Sequence, residues 1–323
     1  MKETKKKLRL GVVGTGYLGK FHAEKYAHMD DVELVGVVDT DRSRALAVAD
    51  KLSTKAFFNH RDLLGIVDAV SIVVPTPEHY SVALDFLKRD IDILIEKPIT
   101  ATLNEADELL NQAESRGLII QVGHLERFNP AVVALAGILK KPMFVESHRL
   151  SLFKERGTDI SVVLDLMIHD IDIILNFVKS EIKSIQASGV PVISSHVDIA
   201  NARLEFKSGC IANITASRIS TKNERKVRLF QRDAYISVDF ANQNITIIGK
   251  DTKTVDGLIP GMGIKKIEFS QTDVLKEELF SFVDSVKSRK VPAVTGQMGR
   301  DALKIALNTM EQIRSANTRF LGL

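Results

Sequence analysis

A doubly wound parallel α/β (Rossmann) domain, followed by an α+β domain with a large, mostly antiparallel open sheet, is the fold class this 323-residue sequence predicts. Three observations predict it. A glycine-rich turn, Gly14-Thr15-Gly16-Tyr17-Leu18-Gly19, joins a short apolar run to a helical stretch. Apolar runs then alternate with helical patterns as far as Val122. From Pro142 the pattern changes to alternating polar and apolar residues, with Gly, Asn, Lys and Ser between the runs.

The first strand, over 8–13, is short and mostly apolar, as suits a parallel strand covered on both faces. Gly14 permits the tight turn, Gly16 lets backbone approach a pyrophosphate, and Gly19 lets the new helix pack closely. The helix N-terminus turns N–H groups and a positive dipole end toward phosphates. A second strand, over 32–38, ends at Asp39, twenty residues after Gly19, where a carboxylate meets the ribose hydroxyls of NAD. Together these place a dinucleotide on Gly14, Thr15, Gly16, Tyr17, Leu18, Gly19, Asp39 and Thr40. Asp39 repels a 2′-phosphate, which favours NAD over NADP; Arg42 lies close enough in sequence to temper that preference.

Further along, helices are expected over 42–52, 81–88 and 104–116, and strands over 56–58, 69–74, 92–95 and 118–122. Asn104 is read as the cap of the third of these helices and Gly117 as its stop. Six strands with interleaved helices argue a doubly wound sheet, whose ligands bind beyond the carboxyl ends of the strands. The loop after the fourth strand is Pro75-Thr76-Pro77-Glu78-His79; its prolines stiffen the backbone, and Pro75, Thr76, Pro77 and His79 are expected at the cofactor. The bland alternative for His79 is a packing residue at a helix start. The fifth strand runs into Glu96-Lys97-Pro98. An ammonium there can orient a substrate hydroxyl and stabilise a developing alkoxide, with Glu96 holding or tuning it. The alternative is an ordinary surface Glu–Lys pair.

In the second half, strands are expected over 143–149, 181–189, 198–206, 210–217, 226–231, 234–239, 244–248 and 265–269, with closing helices over 273–288 and 300–315. One face of this sheet is covered by helices; the other needs a partner or water. A helix over 160–178 is almost wholly apolar, yet carries Asp165, His169, Asp170 and Asp172. Asp165, His169 and Asp172 fall at i, i+4 and i+7, on one face. Titratable groups on such a helix are costly unless the stripe meets water or lines a site. A carboxylate one turn from a histidine can orient the imidazole and keep it basic. Asp and His are also metal ligands, but no third or fourth ligand stands nearby, so no metal is expected. With Lys97 available, a Lys97/His169/Asp165 group at the domain interface is the reading adopted. The domains are expected at 1–123 and 124–323.

Composition limits the partners. The chain is 45% hydrophobic and 26% charged, ordinary for a soluble globular protein, and its net charge of +3 does not call for nucleic acid. Most of that excess lies between Lys2 and Arg9, read as a solvated terminus. A single cysteine, Cys210, excludes an internal disulfide and fits a reducing compartment; after Gly209, at a strand start, it reads as a buried small hydrophobe. No apolar run reaches membrane-spanning length and no signal stretch opens the chain, so a cytoplasmic location is expected.

These motifs resemble the glucose–fructose oxidoreductase / inositol 2-dehydrogenase / MocA (Gfo/Idh/MocA) family of NAD(P)-dependent oxidoreductases over essentially the whole chain. The resemblance rests on Gly14-x-Gly16-x-x-Gly19, Thr76-Pro77-Glu78-His79, Glu96-Lys97-Pro98, Asp165-x-x-x-His169-x-x-Asp172 and Gly296-x-x-Gly299-Arg300-x-Ala302. It implies a catalytic group of Lys97, Asp165 and His169. It also implies a homodimer or homotetramer through the C-terminal sheet. Residues 123–130 and 164–172 are similar to family members acting on UDP-N-acetylglucosamine, which oxidise C3 of the sugar. That implies a sugar-nucleotide substrate near His124, Arg127 and Asn129; the alternative for Arg127 and Asn129 is an ion pair and a helix cap before Pro130. One departure is Met167, where many relatives carry glycine, and it bears on the pocket floor. Within the family, inositol or free-sugar dehydrogenases and keto-sugar reductases are the enzymatic alternatives. A non-catalytic NAD(P)-sensing regulator is the other, against which the retained Lys97, Asp165 and His169 argue.

Overall fold

The computed structural model describes residues 6–154, 160–250 and 262–321; residues 2–5 of the basic start lie outside them. In chain order the first half contains β1 (Leu8–Val13), α1 (Gly19–Ala27), β2 (Val32–Val38), α2 (Arg42–Leu52), β3 (Lys55–Phe57), β4 (Ala69–Ile72), α3 (Thr76–Leu87), β5 (Asp92–Glu96), α4 (Leu103–Arg116) and β6 (Ile120–Gly123). The second contains α5 (Pro130–Leu135), β7 (Phe144–Leu150), α6 (Ile168–Phe177), β8 (Ile182–Val190), β9 (Ile199–Phe206), β10 (Ile211–Ser217), β11 (Glu224–Gln231), β12 (Ala234–Asp239), β13 (Asn244–Gly249), β14 (Gly263–Glu268), α7 (Val274–Ser288) and α8 (Gly296–Leu321).

Contacts divide the chain into two units. One runs to Leu125 and takes in Asp273–Asp301; the other is Glu126–Thr272 with the chain from Ala302. A linear division at 123/124 assigns 273–301 to the second half, whereas α7 and the start of α8 fold with the first unit.

The first unit holds a six-stranded parallel sheet in the order β3-β2-β1-β4-β5-β6. The order reverses between β1 and β4, which is where such sheets bind ligands. On one face α1 and α7 cover the strands: Ala23 and Tyr26 of α1, with Leu279, Phe282 and Val283 of α7, pack on Leu10, Val12, Val37 and Leu94. Ile93 and Ile95 flank Leu94 and so point to the opposite face, where α3 packs on β5. Gly296 and Gly299 lie against β6, where an added Cβ would come within 2.6 Å of Leu110 and of Val122, respectively.

Two local expectations are corrected here. Helix α3 begins at Thr76, five residues early, because Pro75 and Pro77 stand at its start, where a missing N–H costs nothing. Helix α4 is capped by Thr102, not Asn104: the Thr102 hydroxyl accepts the Glu105 N–H and the Glu105 carboxylate accepts the Thr102 N–H. Gly117 ends it in the left-handed conformation, as expected.

The second unit holds an eight-stranded sheet in the order β14-β13-β12-β11-β7-β10-β9-β8, antiparallel throughout except for β7 beside β10. Alternate residues Ala200, Ala202, Leu204 and Phe206 of β9 face a core built with Ile168, Ile171 and Ile174 of α6 and Ala302 and Ala306 of α8. The opposite face is polar: Arg228 bonds Glu146, Asn201 bonds Thr215, and Arg203 bonds Asn213. Cys210 is buried, and burial pushes its thiol pKa up to about 11, consistent with a packing role. Among the described residues no helix is long and apolar enough to cross a membrane.

The β8–β9 turn closes on a single carboxylate. Asp198, fully buried, accepts the N–H groups of Val192, Ile193 and Ser194 at 2.7–2.9 Å and the Ser194 hydroxyl at 2.8 Å. Burial alone would raise its pKa; the backbone donors outweigh it and hold the group below the usual carboxylate range. A depressed folded-state pKa contributes stability that is whole above the unfolded value of about 3.9 and is lost as the pH falls below it. The stability gap between the parent and Asp198→Asn, read from urea unfolding, is therefore expected to be full near neutral pH and to narrow below about pH 4. A gap independent of pH would remove ionised Asp198 from this account.

Candidate active site

At the switch point of the parallel sheet, β1 is followed by Gly14, whose φ of +94° suits glycine and whose added Cβ would lie 2.4 Å from the Val73 carbonyl oxygen. Gly19 is forced by packing, since a Cβ there would meet the Gly14 carbonyl oxygen at 1.8 Å. Gly16 differs: nothing lies within 4 Å of a Cβ placed on it. The protein's own packing does not require glycine at 16, whereas a phosphate approaching the backbone does. Helix termini give a parallel observation. In this unit α2, α4, α7 and α8 each have a side chain accepting a first-turn N–H. Helices α1 and α3, which follow the adjacent strands β1 and β4, have no side-chain cap. Their N–H groups and dipole ends suit an anion.

Asp39 follows β2 and is buried. Its Oδ2 accepts the Thr15 N–H at 2.9 Å and the Thr15 hydroxyl at 2.8 Å, and its Oδ1 accepts the Asp41 N–H at 2.9 Å. The acid is thereby locked to the glycine turn. Arg44 reaches Asp39 Oδ1 at 3.4 Å, and the Arg42 guanidinium lies 3.9 Å from the Phe58 ring centroid. The glycine cradle, the uncapped helix starts and the locked acid fit a dinucleotide such as NAD. Tyr17 stands exposed at the tip of the turn.

A Gly16→Ala protein is expected to keep or slightly gain stability, because the backbone there tolerates a side chain. It should lose about 1–3 kcal/mol of cofactor affinity, the cost of one extra methyl in a filled contact, or about 5- to 150-fold in Kd. Thermal unfolding and NADH fluorescence titration read the two effects apart. Unchanged affinity would remove the pyrophosphate from Gly16.

Lys97 follows β5 and is half-buried, with Glu96 before it. The Glu96 side chain turns inward: Oε1 lies 3.3 Å from His22 Nε2 of α1, Oε2 accepts the Lys97 N–H at 3.3 Å, and a Cβ on Gly123 would meet the carboxylate at 2.9 Å. His79 is buried, with Nδ1 at 2.8 Å from the Pro98 carbonyl oxygen and Nε2 at 2.9 Å from that of Val74. Burial lowers its pKa against these carbonyls. His79 thus ties together the loops after β4 and β5, the packing role weighed above; Thr76 stands in the first turn of α3.

In the second unit the helix expected over 160–178 starts later and irregularly. Ser161 Oγ accepts the Val163 N–H, a π-helical turn spans Val163–Met167, and α6 continues from Ile168. The wider turn breaks the 3.6-residue spacing assumed for Asp165 and His169; such turns recur at functional sites. Asp165 and His169 are half-buried. Asp172 does not join an open stripe: it is buried with its Oδ1 at 3.5 Å from the Arg127 guanidinium. Asn129 caps α5 through Oδ1 to the Ala131 N–H, and its Nδ2 donates to the Phe240 carbonyl. Both match the structural alternatives. His124, at the end of β6, is buried.

The sequence reading missed a buried charge cluster in this unit. Arg149 of β7 donates to both oxygens of Asp170 at 2.8 and 3.1 Å and to Glu126 at 3.0 Å. Burial would lower the Arg149 pKa; the two carboxylates outweigh it and raise it. The signal was there, since Val145, Ser147 and Arg149 share the buried phase of β7 and a charge in that phase needs partners.

Residues 8–124 match the model of an oxidoreductase family with an NAD-binding Rossmann fold, and residues 144–251 match the GFO/IDH/MocA C-terminal domain. The chain is 39% identical over 316 residues to the UDP-N-acetylglucosamine 3-dehydrogenase of Acidithiobacillus ferrooxidans, covering 97% of this chain and 98% of that protein. A solved structure of that enzyme superposes with a TM-score of 0.91 at 37% identity, over 96% of this chain and 98% of the other. The myo-inositol 2-dehydrogenase of Thermotoga maritima is 25% identical over 95% of this chain and 98% of its own length.

Proposed function

The chain belongs to the GFO/IDH/MocA family of NAD-binding oxidoreductases, and on that premise we propose that it oxidises C3 of UDP-N-acetylglucosamine to the 3-keto sugar. The end-to-end likeness to a sugar-nucleotide 3-dehydrogenase, well above that to an inositol enzyme, carries the substrate choice. When bound, NAD supplies the hydride-accepting nicotinamide; Gly14 to Gly19 hold its pyrophosphate, and Asp39, locked to Thr15, meets the adenine ribose and disfavours a 2′-phosphate. Lys97 and His169 hold and move the proton of the C3 hydroxyl, and Asp165 orients the His169 ring. His124, Arg127 and Asn129 are assigned to the sugar nucleotide in this reading. The protein works in the cytoplasm.

Mixing the purified protein with UDP-N-acetylglucosamine and NAD⁺ should produce NADH absorbance. No signal with that sugar nucleotide, but signal with inositol or a free sugar, would move the enzyme to the other branch. The polar open face of the C-terminal sheet serves a homodimer or homotetramer. Light scattering is expected to give a multiple of the 35.8 kDa chain mass, and Arg203→Glu with Arg228→Glu should reduce it. A monomeric parent protein would contradict this.

A further inference from the structure

Within the first unit, three titratable side chains from three elements meet away from the glycine cradle. His22 of α1, Glu96 of β5 and Glu278 of α7 bring ligand atoms within 4.8 Å of one another. His22 and Glu278 are fully buried and the Glu96 side chain is 13% exposed. Neither carboxylate oxygen of Glu278 has a hydrogen-bond partner among the described residues, nor does either ring nitrogen of His22, whose Nε2 lies 3.3 Å from Glu96 Oε1. Glu278 sits on the apolar face of α7, beside Leu279 and Phe282, where an ionised carboxylate is costly.

We propose that His22, Glu96 and Glu278 form a buried proton-holding triad, with Glu278 a neutral carboxylic acid and Glu96 a carboxylate set against the His22 ring, and that the triad positions Lys97. Two carboxylates this close and this dry do not both ionise, and His22 faces only one of them. The neutral arrangement keeps a proton on one glutamate. Glu96 is the ionised one: it faces His22, accepts the Lys97 N–H and retains a sliver of exposure. Glu278 has none of these. The directions agree. Burial and the Glu96 charge raise the Glu278 pKa well above its ordinary value. For Glu96, burial is outweighed by His22, Lys97 and His79, and its pKa falls.

The other groups facing the triad are Tyr26 of α1, whose hydroxyl bonds Ser71 of β4, and Gln121 of β6, whose amide donates to the Glu278 carbonyl oxygen. Neither is cationic; Lys97 and His79 also face the triad, and they bear on Glu96 and not on Glu278. Gly123 completes the seat, since any side chain there would strike the Glu96 carboxylate. Glu96 is thus wedged between His22, Gly123 and the Lys97 backbone, and the lysine side chain starts from a fixed anchor. His22 and Glu278 are positioning residues that act through Glu96.

Infrared spectroscopy tests this on the intact chain. At neutral pH the parent should show the C=O stretch of a neutral carboxylic acid, shifted by ¹³C labelling of glutamate and missing in Glu278→Gln. Absence of the band in the parent, or its persistence in that isosteric variant, would overturn the proposal. So would a stoichiometric metal ion in the purified protein, since the same three ligands could hold one. His22→Phe, which strips Glu96 of its imidazole partner, should add a second neutral-acid band and lower kcat at least about tenfold with KM within about twofold. A normal kcat in that variant would detach the triad from Lys97. The kcat arm rests on the dehydrogenase reading and the infrared arm does not, so failure of one is separable from failure of the other.

Discussion

Lys97→Ala protein is expected to bind NADH as the parent does and to turn over about 10²- to 10⁴-fold more slowly, the usual worth of a positioned acid–base group. The lysine follows β5 at the carboxyl edge of the parallel sheet, half-buried, while the glycine turn and Asp39 belong to β1 and β2. Removing its side chain beyond Cβ leaves the cradle, the helix starts and the Thr15–Asp39 lock untouched. Cofactor affinity, read by NADH fluorescence, should therefore stay within about twofold, and the loss should fall on kcat rather than on substrate KM. Turnover within tenfold of the parent would show that the proton is handled elsewhere, with His169 the first residue to examine.

The largest stability effect is expected at Arg149. Its guanidinium is buried between Asp170 and Glu126 and lies 5.8 Å from the Phe240 ring centroid. Arg149→Met retains much of the volume but leaves two carboxylates in the interior without their shared cation. Breaking a buried ion pair from one side costs about 3–5 kcal/mol, because the abandoned charge cannot recover its hydration. Urea unfolding of parent and variant measures the difference. Arg149→Lys keeps the charge without the two-pronged geometry and should fall between them. A loss below about 1 kcal/mol for the methionine variant would mean that water or another cation reaches the carboxylates.

Much of this architecture is legible in the sequence, for identifiable reasons. Buried parallel strands leave unbroken apolar runs, and half-buried antiparallel strands leave a period of two, so the fourteen strands among the described residues lie within two residues of expectation. Helix starts are less legible. Pro75 and Pro77 read as loop punctuation although proline is favoured in a first turn, and Asn104 masks the Thr102-x-x-Glu105 box. The π turn at Val163–Met167 leaves no signature in an apolar run. Long-range partnerships are invisible to local pattern. Nothing near α7 announces that it covers the first sheet, and nothing near His22 announces Glu278, more than 250 residues away. A charge in the buried phase of an element, as at Arg149 and Glu278, signals that a partner is needed without naming it.

The return of α7 to the first sheet has a consequence for biosynthesis. The ribosome completes β6 about 150 residues before it reaches α7. At about 5–20 residues per second, the side of the nucleotide sheet built from Leu10, Val12, Val37 and Leu94 waits roughly 8–30 s for Leu279, Phe282 and Val283. Throughout that interval the nascent chain presents an oily surface in want of a chaperone, and the cofactor-binding half, translated first, stays unfinished until nearly the whole chain has emerged.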